Sequence, residues 1–447
     1  MRRKTILVVA FGLSISLLGT SCDSFENPNA ASEDQVVSTV AGLQALAIGM
    51  KREYQINSLD EFVRASGLSA REFGVVVGFT NPQDIEAGGA NLRADNGILI
   101  TIWATSYRVM GMADAIIENA PNVIANAPSR NAYVAFGHLF KAIALGNLYM
   151  FWESYPAEVS SDGQAQFVAR TAALQQAIEN LETGLSALGG ANPPAAFQDA
   201  VLGTPNFDLG AVLEAFLARY NGFLGNHAAA IAAADRALAR ASTVSQWSYE
   251  ATGGNINQLY FQTTQEPATY KPLDNFGFDP SDYVVPDEDG RKAFYLEPSD
   301  AIGESSRLPV ENMRGFYSEQ TAPIPVYLPG EMYLIKAEAQ ARSGDLGGAV
   351  NSLNMVRQKT DDPWGVNAGL GPYDGPQTAE AILTDIYRNR RVELFLIGTS
   401  LEDSRRFDRP RQASPPDFDS FDRNRDFYPF PQTERDNNPN TPADPAI

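Results

Sequence analysis

The chain has 447 residues, with 54 acidic against 34 basic side chains and a formal charge of −20 at pH 7. A surface this negative repels phosphate backbones, so the composition argues against a nucleic-acid partner. The length is too great for one simple core, although an architecture of repeats can grow without one.

The first 21 residues have the layout of an export signal. Three basic residues precede an uncharged apolar run, and small residues then lead directly to Cys22. Cys22 is the only cysteine in the sequence, so it cannot form an internal disulfide. Residues 18–22 resemble the lipobox of bacterial lipoproteins, with the leucine four places before the cysteine instead of three. We therefore predict a signal peptide over 1–21, lipidation of Cys22 and a polar tether over 22–35. An ordinary cleaved signal that ends near a free cysteine is the alternative.

From Val36 onward the pattern of apolar residues predicts long helices. Over residues 102–117 the apolar side chains recur at steps of three and four, as one face of a helix requires. Residues 133–152 and 172–188 predict two further helices. None of these stretches is expected to span a membrane, so attachment would depend on the lipid.

An internal repeat follows. Residues 213–238 align with residues 332–357 when Gly225 is placed over Gly344, and each copy reads as helix, Gly-Asn or Gly-Asp, helix. The glycine is expected to end the first helix in a left-handed cap, and the Asn or Asp to start the second. Such a pair is typical of a tetratricopeptide-type unit. Further hairpins are predicted over 132–188 and 378–407.

Helical periodicity fades between the repeats. Residues 245–325 are dominated by Gly, Pro, Asn and aromatic residues, and a long irregular segment inside a helical scaffold is usually a functional insertion. Residues 361–377 form a second loop of this kind. The sequence thus predicts a mainly α fold, in which a tetratricopeptide-like scaffold carries a large irregular ligand-binding lobe. The predicted organisation is one domain over 36–447, with scaffold at about 36–244 and 326–407, an irregular insert at 245–325 and an extended C-terminal tail at 408–447.

The sequence predicts no catalytic, metal or cofactor site. His138 and His227 share no motif with a second ligand. Asp422, Asn424 and Asp426 alternate as at the start of a calcium loop, but the following Gly and the distant Glu are missing. A carboxylate pair for glycoside cleavage stays open, because two carboxyls need only face each other at about 5–10 Å. A solvated acidic face is the simpler interpretation.

The arginines of residues 388–406 could form an anion site. Acidic residues stand close to them in sequence, which favours paired structural ions instead.

Aromatic side chains are the best candidates for ligand contact. The C–H faces of sugars stack on aromatic rings, while sugar hydroxyls need amide, carboxylate or guanidinium partners. We name Trp103, Tyr283, Tyr295 and Trp364 as the candidate ligand-binding residues. Core packing is the competing explanation for each ring taken singly.

Several segments together resemble one family. Residues 331–354 read as a signature helix pair, 386–407 as the next helix with an Arg-rich turn, and 427–440 as a closing Pro-rich motif. Residues 103–117 and 137–155 read as two early helices. In this order and spacing the chain resembles the SusD/RagB-type outer-membrane lipoproteins from end to end.

This resemblance implies a function. Such proteins are anchored by lipid to the outer membrane at the cell surface and pair with a SusC-type TonB-dependent transporter. They bind an oligosaccharide, or in some members a peptide, and deliver it without chemistry or cofactor. Two alternatives remain: a surface glycan-degrading lipoprotein with a carboxylate-pair active site, and a helical-repeat adaptor with no small ligand.

Overall fold

The computed structural model describes residues 36–447, apart from 161, 204–206, 241–243, 253, 414–417, 419 and 420. The predicted signal peptide, Cys22 and the tether lie outside the described residues.

Long helices make up the N-terminal part, and several begin at a side chain that caps them. Thr39, Asn96 and Asn126 each accept a hydrogen bond from a backbone N–H of the first turn. The elements are α1 Val40–Glu53, a π-helical turn at Tyr54–Ser58, α2 Leu59–Ser69, β1 Phe73–Val75, α3 Thr80–Ala87, α4 Gly97–Val123, α5 Ala127–Phe151, β2 Ser154–Pro156, β3 Phe167–Ala169 and α6 Arg170–Leu188.

α5 is the central helix of the scaffold and packs against both α4 and α6. It is long and apolar enough to cross a membrane, which the sequence interpretation did not expect. Because 83% of its most apolar stretch is buried inside the protein, its apolarity is that of a core helix. A Cβ on Gly137 would stand 2.8 Å from Ile117, so glycine permits the close approach of α4. His138 joins α5 to α6 through Asn180, at 2.7 Å between Nδ1 and Oδ1.

The two repeat hairpins share one turn geometry, as predicted. Gly225 and Gly344 have φ of +75° and +87°, the left-handed conformation in which a side chain is strained. The second helices start differently. The Asp345 carboxylate accepts a bond from the N–H of Gly348 at 2.9 Å, whereas the side chain of Asn226 makes no capping bond. The helices in this part are α7 Ala195–Phe197, with a π-helical turn at Gln198–Leu202, α8 Leu209–Leu224, α9 His227–Ala239, α12 Pro329–Arg342, α13 Leu346–Arg357, α14 Ala379–Glu393 and α15 Ser400–Arg406.

The insert between α9 and α12 contains short elements joined by irregular chain. Its strand β5 pairs antiparallel with β1 of the N-terminal scaffold, and this pairing joins the insert to the helices. β4 pairs with β8, and β6 with β7. The elements are β4 Gln246–Trp247, α10 Gln258–Thr263, β5 Tyr270–Pro272, a 3₁₀ turn at Asp274–Gly277, α11 Gly290–Tyr295, β6 Leu296–Glu297, β7 Asn312–Met313, a 3₁₀ turn at Gly315–Tyr317 and β8 Ile324–Pro325.

Residues 361–377, all of them described, contain neither helix nor strand. The C-terminal part includes one short helix, α16 Gln432–Asn437. It is held to the scaffold by polar contacts: the indole N–H of Trp152 donates to the carbonyl of Pro429 at 3.0 Å.

Buried ion pairs lie between α14 and α15 and within α15. Arg390 and Asp403 form a two-pronged pair at 2.9 Å, and Arg405 pairs with Glu402 at 3.0 Å. The prediction of paired structural ions is confirmed for these arginines, because each charge removed from water has an opposite partner.

Candidate functional site

The four predicted rings lie in two separate places. Trp103 lies in α4 within a cluster of Tyr107, Trp152, Phe167 and Phe430. The other three predicted rings, Tyr283, Tyr295 and Trp364, belong to the insert or the 361–377 loop. Tyr295 and Trp364 both pack against Phe316, with ring centroids 5.9 and 5.7 Å away.

Tyr295 is fully buried, so its ring has no face available to a ligand in this conformation. Its hydroxyl donates to the backbone carbonyl of Glu393 at 3.0 Å, and Phe276, Phe316 and Phe395 surround the ring. The sequence pattern could not separate this ring from its exposed neighbours, because the six-residue helix α11 is too short to show the spacing that marks a buried face.

Tyr283 and Trp364 are half-buried. The guanidinium carbon of Arg388 lies 4.2 Å from the centroid of the Tyr283 ring, so one face of this ring already has a cationic partner. The Trp364 ring meets Phe316 at 90°. Both residues stay candidates for ligand contact.

One strongly exposed ring was missed by the sequence interpretation. Phe79 is 60% exposed and lies immediately before α3. It follows β1, and the carbonyl of Val75 in β1 accepts a bond from the N–H of Glu304 at 2.7 Å. Val75, four residues before Phe79, therefore lies where the N-terminal scaffold meets the loop that carries Ile302, itself 42% exposed.

Polar side chains accompany Phe79 on the short stretch that leads to α4. Arg93 and Asp95 form an exposed pair at 2.7 Å, and Asn81 is exposed while its carbonyl accepts from Asn96 at 2.9 Å. Burial raises the pKa of Asp84, while nearby Arg93 lowers it, which shows that α3 lies close to this pair. We call Phe79, Asn81, Arg93 and Asp95 the Phe79 surface.

The sequence does carry a signal for this surface. Phe79 stands between Gly78 and a Thr-Asn-Pro turn, outside any helical periodicity. An apolar ring in such a turn has no helix face to pack on, which favours exposure.

Two buried carboxylates, one in the insert and one at the end of α14, are engaged in structural pairs. Asp289 holds Arg291 at 2.7 Å, and Glu393 contacts both Arg291 and Lys359. Within the described residues no three His, Cys, Asp or Glu side chains converge as metal ligands would. Asp422 and Asp426, from the incomplete calcium pattern, pair instead with Arg409 and Arg423.

Two buried carboxylates have a pKa near neutrality. Burial raises the pKa of Glu86 to about 7, opposed by bonds from the Val75 N–H and from Ser306. Burial also raises the pKa of Glu72 to about 7, although Arg391 lowers it. Glu72 accepts from the hydroxyl of Ser400 at 2.8 Å. Both groups hold backbone or side-chain donors of the scaffold and are closed to substrate.

Comparison with known proteins agrees with this architecture. The sequence profile of the SusD family matches residues 315–442. A SusD-like carbohydrate binding protein from Bacteroides vulgatus superposes with a TM-score of 0.70 at 17% identity, covering 90% of this chain and 97% of that one. Residues 315–442 thus match the SusD family, and the chain has a SusD-like fold. The resemblance predicted from the sequence is thereby confirmed, as is the mainly helical fold.

Other SusD-family structures are similar to the same extent. A SusD-like carbohydrate binding protein from Bacteroides fragilis gives a TM-score of 0.68 at 13% identity, covering 91% of this chain and 99% of that one. A SusD superfamily protein from Bacteroides thetaiotaomicron gives 0.68 at 15% identity, covering 91% and 100%. No curated protein sequence matches the chain. The SusD family is non-catalytic, in agreement with the prediction that the chain is not an enzyme.

Proposed function

We propose that this chain is a cell-surface lipoprotein that binds oligosaccharides and delivers them to a SusC-type TonB-dependent transporter of the outer membrane. The observation that carries the proposal is Phe79, an exposed ring between β1 and α3 in a SusD-like fold. Structural relatives described as carbohydrate binding proteins support the choice of ligand class.

The chemistry of the Phe79 surface suits a sugar. A phenyl ring can stack on the C–H face of a pyranose. The Arg93 fork and the Asp95 carboxylate offer donors and acceptors for neighbouring hydroxyls, and Asn81 offers both. Because the two charges neutralise each other at 2.7 Å, the surface has no dominant charge to select an anionic cargo. A peptide remains the alternative cargo.

The proposal also includes the anchor and the absence of chemistry on the cargo. Acylation of Cys22 would hold the protein at the membrane without a spanning helix, since more than one acyl chain anchors stably. We expect Cys22→Ala to move the protein from the membrane to the soluble fraction. A variant that fractionates like wild type would exclude this anchor.

The test of cargo binding is calorimetry of the mature chain against a panel of oligosaccharides and peptides. Loss of one stacking ring costs about 1–3 kcal/mol, so Phe79→Ala should weaken oligosaccharide binding roughly 10- to 100-fold. Met355→Ala removes an exposed apolar side chain of α13 and is the matched control, which should bind like wild type. If Phe79→Ala and Met355→Ala bind oligosaccharides with equal affinity, the cargo site lies elsewhere. If the protein binds peptides and no oligosaccharide, the cargo is a peptide and not a sugar.

A further inference from the structure

A cavity that is separate from the Phe79 surface lies against α4. It has a volume of about 270 Å³ between the start of α4, the loop after β2 and helix α16. None of the residues that line it belongs to the Phe79 surface. We call it the Trp103 cleft, and its lining includes Trp103, Tyr107, Glu158, Val159, Glu434 and Asn438.

Hydrogen bonds hold the walls of the cleft in place. The indole N–H of Trp103 donates to one oxygen of Glu434 at 3.2 Å, and the amide of Asn438 donates to the other at 2.8 Å. The same amide also donates to the carbonyl of Ala165 at 3.0 Å. The Tyr107 hydroxyl donates to Pro156 at 2.8 Å. Walls fixed in this way need little reordering when a ligand enters.

A glycine brings the loop against α16. Gly163 has φ of +70°, and a Cβ built on it would stand 3.1 Å from the carbonyl of Asn437. A larger residue would be strained and would push the loop away. The narrow side of the cleft therefore depends on this position.

The lining combines apolar groups with acids. The rings of Trp103 and Tyr107 and the side chains of Pro156 and Val159 give apolar surface, and Val159 is 48% exposed. The charged residues of the lining are Glu158 and Glu434.

Lys141 is not a lining residue, but it contacts Glu158 at the rim of the cleft. Its ammonium lies 2.7 Å from Glu158 and 2.8 Å from Asp114, so this cation is already paired. An incoming anion would meet two carboxylates without a lining cation to compensate them.

We propose that the Trp103 cleft binds a single sugar unit, neutral or carrying an amino group, and rejects uronic acids. The volume is at the lower limit of the roughly 300–1,000 Å³ of sites for drug-sized ligands, which suits one ring and excludes a long chain. The apolar lining takes the C–H edge of the ring, and the remaining lone pairs of the Glu158 and Glu434 carboxylates accept from its hydroxyls. This inference rests on the proposed function for the class of ligand only.

The experiment titrates the mature protein with glucose, glucosamine and glucuronate at low ionic strength, using ligand-observed NMR. Glucose and glucosamine should bind, and glucuronate should bind at least about 10-fold more weakly because like charges repel at short range. Equal binding of glucuronate would overturn the proposal.

Ala104→Phe tests the position of the site. Ala104 is exposed on α4 and lines the cleft, so a phenyl ring there should fill it without disturbing the core. Glucose binding should be lost while the melting temperature is kept. Ala229→Phe places the same ring on an exposed position of α9 and is the matched control. Glucose binding that persists in Ala104→Phe would overturn the proposal.

Glu158→Lys tests the charge rule, because this side chain is 65% exposed and can be reversed without burying a charge. The variant should bind glucuronate better than wild type does. If the preference for glucose over glucuronate is unchanged, the charge of Glu158 is not the cause of that preference.

Phe79→Ala separates this site from the proposed cargo site. Loss of oligosaccharide binding with glucose binding intact shows two sites. Binding of oligosaccharides without binding of glucose overturns the cleft alone, and glucose binding without any oligosaccharide binding overturns the proposed function alone.

Discussion

Phe79 and Trp103 are both rings near the start of a helix, yet the structure treats them in opposite ways. Phe79 is 60% exposed, whereas Trp103 is 5% exposed and has ring contacts on several sides. In the Phe79 surface the ring itself is the proposed contact. In the Trp103 cleft the ring chiefly builds the wall, and the space in front of it is what a ligand would use. Whether an aromatic ring can contact a sugar therefore depends more on how the ring is packed against its neighbours than on its residue type.

The largest effect is expected for Trp103→Ala. The change removes a core ring and its bond to Glu434, so unfolding free energy should fall by about 3–5 kcal/mol. Chemical denaturation measures this loss. A variant as stable as wild type would break the comparison, because Trp103 would then be a surface ring like Phe79.

Glu86 tests the support behind the Phe79 surface. Its carboxylate accepts from the N–H of Val75 at 3.1 Å, directly before the loop that carries Phe79. Its pKa is raised from 4.5 to about 7 by burial, so the folded state binds the proton more tightly than the unfolded chain does. This contribution to stability is present below pH 4.5 and is lost as pH rises to about 7.

Glu86→Gln should remove this loss of stability at high pH, because the amide does not titrate. The variant should match wild type near pH 4 and exceed its unfolding free energy at pH 8 by on the order of 2–3 kcal/mol. Melting curves across this pH range measure the difference. Glu304→Gln changes an exposed carboxylate of the neighbouring loop and should leave the pH profile as it is. Parallel profiles for Glu86→Gln and wild type would show that Glu86 is not the group responsible.

Gly344→Val measures backbone strain alone, separately from side-chain packing. The turn at Gly344 is simpler in this respect than the Trp103 cluster, where several rings pack together. A Cβ on Gly344 would meet nothing within 4 Å, but φ is +87°. A β-branched residue there should cost on the order of 1–2 kcal/mol, less than the loss of the Trp103 ring. Thermal unfolding gives the value. An unchanged midpoint of thermal unfolding would mean that the turn adapts to valine. The left-handed cap at Gly225 and Gly344 would then not constrain the repeat.

The smallest effect is expected for the stability of Phe79→Ala. An exposed ring contributes little to the fold, so the unfolding free energy should stay within about 0.5 kcal/mol of wild type. The same denaturation experiment as for Trp103→Ala applies. A loss of several kcal/mol would show that Phe79 packs in the core. The contrast between an exposed Phe79 and a buried Trp103 would then be wrong.

The sequence was a good guide to the helices and a poor one to the surface of the insert. Periodicity predicted α4, α5 and α6, and the Gly-Asn and Gly-Asp pairs predicted the turns at Gly225 and Gly344. These features depend on neighbours in the chain. Tyr295 and Phe79 could not be separated in this way. Tyr295 ends the six-residue helix α11 and Phe79 directly precedes α3, so exposure of either ring depends on which distant segment covers it.

By itself, the sequence determined what local chemistry can determine: the long helices, the left-handed caps and the resemblance to the SusD family. Tertiary structure alone decided that α5 is covered by α4 and α6, and that Arg390 meets Asp403. It also decided that Tyr295 is enclosed while Phe79 is not. The physical reason is that helix spacing and turn geometry are set within a few residues, whereas burial is set by contacts between residues far apart in the chain.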